Sequence, residues 1–145
     1  MGLRLMYEKN TKYNMSGSLD TNVLLRFILN DVPEQCGAVE RLLAAGKIFE
    51  ITDAAVFEMV YVLEKVYRLP RELIVKNSLT IIRNGQFICN KRLLELIIDL
   101  YHKETKLSII DCALIQYAEV NHNWPLFTFD RALMKACPNS SQIPI

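Results

Sequence analysis

The sequence lacks long apolar runs, a large net charge and closely paired cysteines, and each absence excludes a class of protein. No apolar stretch in its 145 residues is long enough to span a bilayer. The segment from Met1 to Ser18 is mostly polar and has no apolar core of the kind that a signal peptide needs. The net charge of +1 gives no broad attraction to nucleic acid, although a local basic rim around an acidic site is compatible with it. We therefore expect a cytoplasmic protein that does not associate with a membrane.

The four cysteines do not form a metal-binding or disulfide pattern. No two of them are spaced as a CxxC pair, and neither histidine lies near one in sequence. A disulfide framework is unusual in a chain of this length with so few cysteines. We expect reduced thiols and no zinc site at Cys36, Cys89, Cys112 and Cys137.

Strand patterns alternate with helix patterns along the chain, which favours an α/β fold with a mainly parallel sheet. Its length suits one domain, predicted over residues 15–145, after an N-terminal extension or arm at residues 1–14. Caps, turns and periodicity predict helices at 22–29, 33–45, 52–67, 71–83, 91–103 and 108–120, and a short one after Asp130. They predict short strands before Asp20 and at 48–51, 87–88 and 126–129, with an edge strand or tail at 140–145.

Asp20 stands where the first predicted strand turns into the first predicted helix. Short residues precede it, and the apolar helical run Asn22–Leu29 follows it. In parallel α/β sheets such junctions meet at the carboxyl edge, where ligands bind. The structural alternative is that Asp20 or Thr21 only caps the helix, which needs no more than a short side chain carrying oxygen.

Glu58 interrupts the nearly continuous apolar run Ala54–Leu63. It lies too far into its helix to act as a cap, and no residue three or four positions away can pair with a carboxylate. Because an unpaired buried carboxylate is costly, we expect it to reach an opening, a cation or a proton. The alternatives are an exposed glutamate, or one paired across the core with a lysine or arginine.

Two further acids lie at predicted helix starts in the second half of the chain. Ser108 and Asp111 have the spacing of a capping box, and Asp130 directly follows a strand. Each of these acids is open to a purely structural explanation. Together with Asp20 and Glu58, however, they are expected to converge at one sheet edge, where carboxylates repel each other unless a proton or a cation is shared. Mg²⁺ and Mn²⁺ prefer such oxygen ligands, and a site of this kind suits phosphodiester hydrolysis.

Four segments of the sequence resemble, in order, the acidic motifs of PIN-domain ribonucleases of the VapC toxin type. The resemblance covers residues from about Met15 to Ala136, and Cys112 replaces a more usual alanine. The segments are Leu19-Asp20-Thr21-Asn22-Val23-Leu24-Leu25-Arg26 followed by Asn30-Asp31-Val32-Pro33-Glu34-Gln35, then Phe57-Glu58-Met59-Val60-Tyr61-Val62-Leu63, Ile110-Asp111-Cys112-Ala113-Leu114-Ile115 and Thr128-Phe129-Asp130-Arg131-Ala132-Leu133.

This resemblance implies a three-layer α/β/α fold with a short-stranded, mainly parallel central sheet, and a Mg²⁺- or Mn²⁺-dependent endoribonuclease. Asp20, Glu58 and Asp111 would hold the main metal, and Asp130 would complete the acidic cluster. Asn22 and Thr128 would orient the acids or water. Members of the family act as toxins, are neutralised by a cognate VapB-type antitoxin, and are commonly homodimers. The resemblance points to the exposed face of the helix pair at 52–83 for the antitoxin. Separately, the cations nearest the acidic motifs, Arg26, Arg131 and Lys135, are candidate phosphate contacts, or else ordinary surface charges.

Three rival functions account for the acids less well. A receiver-like signalling domain would place adjacent acids near its first strand and a lysine after a late strand, and neither is found there. A phosphatase of the haloacid dehalogenase type needs a second aspartate at the position of Asn22. A degenerate PIN module that only binds protein or RNA would not need all four acids.

Overall fold

The protein, described by a computed structural model over residues 15–145, alternates short strands with helices. The strands within these residues are β1 (Met15–Ser18), β2 (Ile48–Glu50), β3 (Phe87–Ile88), β4 (Leu126–Thr128) and β5 (Ser140–Gln142). The helices within the same residues are α1 (Thr21–Leu29), α2 (Pro33–Ala44), α3 (Asp53–Lys65), α4 (Arg71–Ile82), α5 (Lys91–Lys103), α6 (Ile109–Val120) and α7 (Arg131–Ala136).

Every predicted helix and strand in this range is present, and the ends differ by only a few residues. The largest helix difference is at α3, which ends at Lys65 rather than at Tyr67. The C-terminal segment, predicted as an edge strand or a tail, contains strand β5. The prediction of an N-terminal arm at 1–14 lies outside the described residues.

The chain divides into two compact units between Lys91 and Arg92. In the first unit, β1, β2 and β3 form a parallel sheet in that order. Helices α1 and α2 connect β1 to β2, and α3 and α4 connect β2 to β3. Because the strands are parallel, their carboxyl ends lie at the same edge of this sheet, where α1 and α3 begin.

Local signals in the sequence set the helix boundaries of the first unit. The Thr52 side chain caps α3 by accepting a hydrogen bond from the backbone N–H of Ala55 at 3.2 Å. Pro33 occupies the first position of α2, where its missing N–H costs nothing. Gly46 follows that helix with φ of +70°, a left-handed conformation that glycine adopts without strain.

The core of the first unit lies between its sheet and its helices. Leu24 on α1 is fully buried, as are Val56, Met59 and Leu63 on α3. α1 packs against α3, and α3 packs against α4. This packing fixes the start of α1 relative to the first turns of α3.

The second unit contains α5, α6 and α7 and a two-stranded parallel sheet of β4 and β5. One side of α5 is buried through Leu93, Leu94, Ile97, Ile98 and Tyr101, at the spacing of an amphipathic helix. In this unit, Ser108 lies at the start of α6, and Asp130 lies at the start of α7.

All four cysteines are free thiols in the structure. Three are buried, and burial raises the pKa of the Cys137 thiol above its usual value. These features are typical of cysteines that pack as small apolar residues. No helix within residues 15–145 is long and apolar enough to cross a membrane.

Candidate active site

Asp20 is exposed and links the end of β1 to the start of α1. Its backbone is extended, and its Oδ1 accepts a hydrogen bond from the N–H of Val23 at 3.0 Å. The aspartate is therefore the N-cap of α1, as the structural alternative predicts. Capping uses only one of its two carboxylate oxygens.

Glu58 is held by a residue that the sequence prediction treated only as a possible cap. The buried hydroxyl of Thr21 donates a hydrogen bond to Oε2 of Glu58 at 2.7 Å. The same hydroxyl lies 3.4 Å from the carbonyl oxygen of Ala55, one turn earlier on α3. This contact links the first residue of α1 to α3 and directs the carboxylate toward the N-terminal end of α1.

Of the alternatives that the sequence left open for Glu58, the structure has the exposed glutamate. Ala54 and Tyr61, four residues before and three residues after it, are exposed on the same side of α3. The run of apolar letters therefore contains a solvent-facing stripe. Glu58 needs no buried cation, so its special feature is the bond from Thr21.

Asp111 and Ser108 form the predicted capping box at the start of α6. Oδ2 of Asp111 accepts hydrogen bonds from the backbone N–H of Ser108 at 2.9 Å and from its hydroxyl at 2.8 Å. In return, the backbone N–H of Asp111 donates to Oγ of Ser108 at 3.1 Å. The half-buried carboxylate is thereby fixed at the helix start, again through one oxygen.

Asp130 caps α7, and Thr128 fixes the backbone before it. Oδ1 of Asp130 accepts a hydrogen bond from the N–H of Leu133 at 2.9 Å. The backbone N–H of Asp130 donates to Oγ1 of Thr128 at 2.9 Å. Thr128 therefore acts on the backbone that carries the acid rather than on the carboxylate itself.

A common pattern connects the four acids Asp20, Glu58, Asp111 and Asp130, which we call the four carboxylates. In each, one oxygen is anchored by a hydrogen bond from the protein. The other oxygen accepts no hydrogen bond from the part of the chain that the structure describes. Such carboxylates are oriented in advance and keep an oxygen open for a ligand.

The PIN domain family matches residues 18–137 of the chain, a range that includes all four carboxylates. The chain belongs to the PIN domain family. PIN domains are generally nucleases, so the family indicates a nuclease-type function. The family, the helices and the parallel strands confirm the predicted three-layer α/β/α fold class. No match was found among curated proteins or among solved structures.

PIN domains typically use divalent metal ions, and the donor chemistry of this PIN domain fits such an ion. The open oxygens of the four carboxylates are the hard ligands that Mg²⁺ and Mn²⁺ prefer. Among the described residues, no three His, Cys, Asp or Glu side chains form a group that could hold an ion. The carboxylates are chemically suited as ligands for such an ion.

The cations predicted as phosphate contacts differ in their availability. Arg26 of α1 donates from Nε to Oε1 of Gln35 at 2.8 Å, and it pairs with Asp31 through Nη1. Tyr67 joins this cluster, because its hydroxyl donates to Oδ2 of Asp31 at 2.6 Å. The bonds from Tyr67 and Arg26 lower the pKa of Asp31, and those to Tyr67 and Asp31 raise the pKa of Arg26.

In contrast, Arg131 and Lys135 of α7 are exposed and have no ion-pair partner within residues 15–145. They remain available for a phosphate, whereas the guanidinium of Arg26 is already engaged. Asn22, predicted to orient the acids, is exposed and makes no side-chain hydrogen bond to the described residues. Its role stays a prediction.

Proposed function

We propose that this PIN domain is a Mg²⁺- or Mn²⁺-dependent endoribonuclease that hydrolyses RNA phosphodiester bonds. The observation that carries the proposal is the shared pattern of the four carboxylates, each with one anchored and one open oxygen. The anchored oxygen fixes the direction of each acid, and the open oxygen is the one that a metal ion would bind. The family membership adds the nuclease class.

Each site residue has a defined task in this proposal. Asp20, Glu58 and Asp111 hold the ion through their open oxygens, and Asp130 completes the acidic set. Thr21 keeps Glu58 in its orientation through the 2.7 Å hydrogen bond, and Thr128 sets the backbone of Asp130. When bound, the ion supplies activation of water and stabilisation of charge on the leaving oxygen.

Phosphates of the substrate are proposed to contact Arg131, near the cleaved bond, and Lys135, at a neighbouring position, rather than Arg26. The first two are exposed and unpaired within the described residues, whereas Arg26 would have to give up its bonds to Asp31 and Gln35. Because the net charge is only +1, selectivity would come from local contacts rather than from overall attraction. Single-stranded RNA loops, whose bases are open to such contacts, are the expected substrate class.

The test is cleavage of a labelled single-stranded RNA by the purified protein with Mn²⁺, with a chelator, and by its Asp20→Asn variant. Asparagine retains the capping oxygen but removes the charge, so α1 should stay folded. We expect the variant to lose at least about 100-fold in kcat/KM, as is usual when an electrostatic contact to the reacting group is removed. An Asp20→Asn protein that cleaves at the wild-type rate would refute the assignment.

We further propose that the nuclease is the cytoplasmic toxin of a type II toxin–antitoxin pair and forms a homodimer. Its antitoxin would bind the α3–α4 face, where Tyr61, Val66 and Leu73 are exposed apolar residues. Expression of the chain alone should arrest growth, and Asp20→Asn should relieve the arrest at equal protein level. Sedimentation of the purified protein would test the dimer. Normal growth with active, folded protein present would contradict the toxin role.

The second candidate is a degenerate PIN module that only binds protein or RNA. One observation favours it: Asp20 and Asp130 already serve as helix N-caps, and Asp111 completes a capping box with Ser108. Asp→Asn variants separate the two functions because they preserve the caps. A binding module should be indifferent to all of them, whereas the nuclease should be inactivated by each.

A further inference from the structure

A cavity of about 330 Å³ in the second unit is lined by three lysines. Its walls are the end of α5 with the following turn, which contribute Lys103 and Lys106, and one side of α7, which contributes Lys135. Ala132 and Ala136 line the same side of α7, and these small side chains leave the space open. The cavity therefore combines room for a small group with a lining that contains three lysines.

Two of these lysines have no internal partner. Lys103 is bound to Asp99 at 2.6 Å, one turn earlier on α5. Lys106 and Lys135 are exposed and form no ion pair with any residue in the described range. Glu104 also lines the cavity and offsets one of these two charges, so its lining keeps a net positive charge. Lysine is a common point-charge ligand for phosphate, so this lining suits an anion.

The cavity lies close in the chain to two of the four carboxylates. Lys106 is two residues before Ser108, whose capping box fixes Asp111. Lys135 is on α7, whose N-cap is Asp130, so the two are separated by about 7.5 Å along the helix axis at 1.5 Å per residue. An anion held by Lys135 would thus lie along α7 from Asp130, apart from that carboxylate itself.

We propose that this cavity is a subsite for a backbone phosphate of the RNA, distinct from the phosphate that is cleaved. The inference rests on the proposed function for the identity of the ligand. Lys106 and Lys135 supply the charge, and contacts to phosphate carry no sequence information. The subsite would fix the register of the strand and leave sequence selection to other residues.

The experiment is binding of a labelled single-stranded RNA to the full chain in chelator, measured by anisotropy between about 50 and 200 mM salt. Lys106→Gln, Lys135→Gln and the double variant are compared with Lys76→Gln on α4. Lys76 is also exposed and unpaired in residues 15–145 but does not line the cavity. Each phosphate contact on a single strand contributes about 0.7 to the slope of log K against log salt.

We expect each cavity variant to lower that slope by about 0.7 and the double variant by about 1.4, with no change in Lys76→Gln. Affinity at low salt should fall by up to about fivefold for each lysine, equally for unrelated RNA sequences. In cleavage assays KM should rise while kcat changes little. Cavity variants with wild-type slopes, in a protein that binds and cleaves RNA, would overturn the subsite alone. A wild-type protein that neither binds nor cleaves RNA would overturn the proposed function and the subsite with it.

Discussion

Both units anchor a carboxylate locally, and the first unit also has a long-range anchor. Asp20 in the first unit, and Asp111 and Asp130 in the second, are held by groups at most three residues away, so their orientation forms together with the helices. In the first unit, Glu58 is held by Thr21, 37 residues earlier in the chain. Its orientation exists only when α1 is packed against α3. Catalytic geometry in the first unit should therefore be more sensitive to tertiary packing.

The largest effect should come from neutralising one acid in each unit. Asp20→Asn and Asp111→Asn each keep a capping oxygen, and each should lower kcat/KM for RNA by about 100-fold or more. Their denaturation midpoints should stay close to that of the wild type. If one of these variants is inactive and the other cleaves RNA at the wild-type rate, the two units do not contribute to the same reaction.

The next effect tests the long-range anchor directly. Thr21→Val removes the hydroxyl that orients Glu58, and loss of such an outer partner typically costs about 10- to 100-fold in metal affinity or activity. Thr128→Val, which affects only the backbone turn before Asp130, should cost less. Thr21→Ser keeps the hydroxyl and is the matched control. Equal losses of activity in Thr21→Val and Thr128→Val would contradict the claim that the long-range anchor of Glu58 matters more than the local one at Asp130.

The same distinction explains which parts of the site were predictable. Asp20, Ser108 with Asp111, and Asp130 mark helix starts, because capping depends on residues within three positions. The hydrogen bond from Thr21 to Glu58 and the cluster of Arg26, Asp31 and Tyr67 depend on how distant helices pack. No local pattern encodes that pairing.

The exposure of Glu58, which the sequence left as one of several alternatives, has a similar cause. The residues of Ala54–Leu63 other than Glu58 are mostly apolar, yet Tyr61 and Glu58 both lie on the exposed side of α3. Burial depends on which side of the helix meets the sheet and its neighbouring helices. The fold class was easier to predict from the sequence, because alternating strand and helix patterns indicate a parallel sheet before any tertiary contact is known.

Two substitutions of Asp20 should separate its role as the N-cap of α1 from its role in catalysis. Asp20→Ala removes both the charge and the capping oxygen, whereas Asp20→Asn removes only the charge. We expect Asp20→Ala to lower the free energy of unfolding by about 1 kcal/mol relative to Asp20→Asn. Thermal or urea denaturation measures the difference. Equal stability of the two variants would contradict the capping role of Asp20.

The cluster of Arg26, Asp31 and Tyr67 should make a smaller contribution to the folding stability of the first unit, and this contribution should be lost in acid. Hydrogen bonds from Tyr67 and Arg26 lower the pKa of Asp31 in the folded protein. The stabilising effect of the Asp31 carboxylate is therefore complete at pH values above its pKa in the unfolded protein. It is lost as the pH falls through the folded pKa. Asp31→Asn should therefore reduce the urea midpoint at neutral pH, and the difference from wild type should diminish below about pH 4. The neighbouring Glu34→Gln is the control, and a pH-independent difference would contradict this origin.

The smallest effect is expected at Ser78, a fully buried residue of α4. Its hydroxyl has no hydrogen-bond partner within residues 15–145. Ser78→Ala should leave the free energy of unfolding unchanged or raise it by up to about 1 kcal/mol, because an unsatisfied buried group is removed. Denaturation in urea is the measurement, with the exposed Thr80→Ala as control. A clear loss of stability in Ser78→Ala would reveal a bond of this hydroxyl.

The most direct test of the central claim is calorimetric titration of Mn²⁺ into the wild type, Asp20→Asn and Asp111→Asn, without RNA. If acids of both units hold the same ion, binding to the wild type should be lost in both variants, while both remain folded. Undiminished binding in either variant would contradict a site to which Asp20 and Asp111 both contribute.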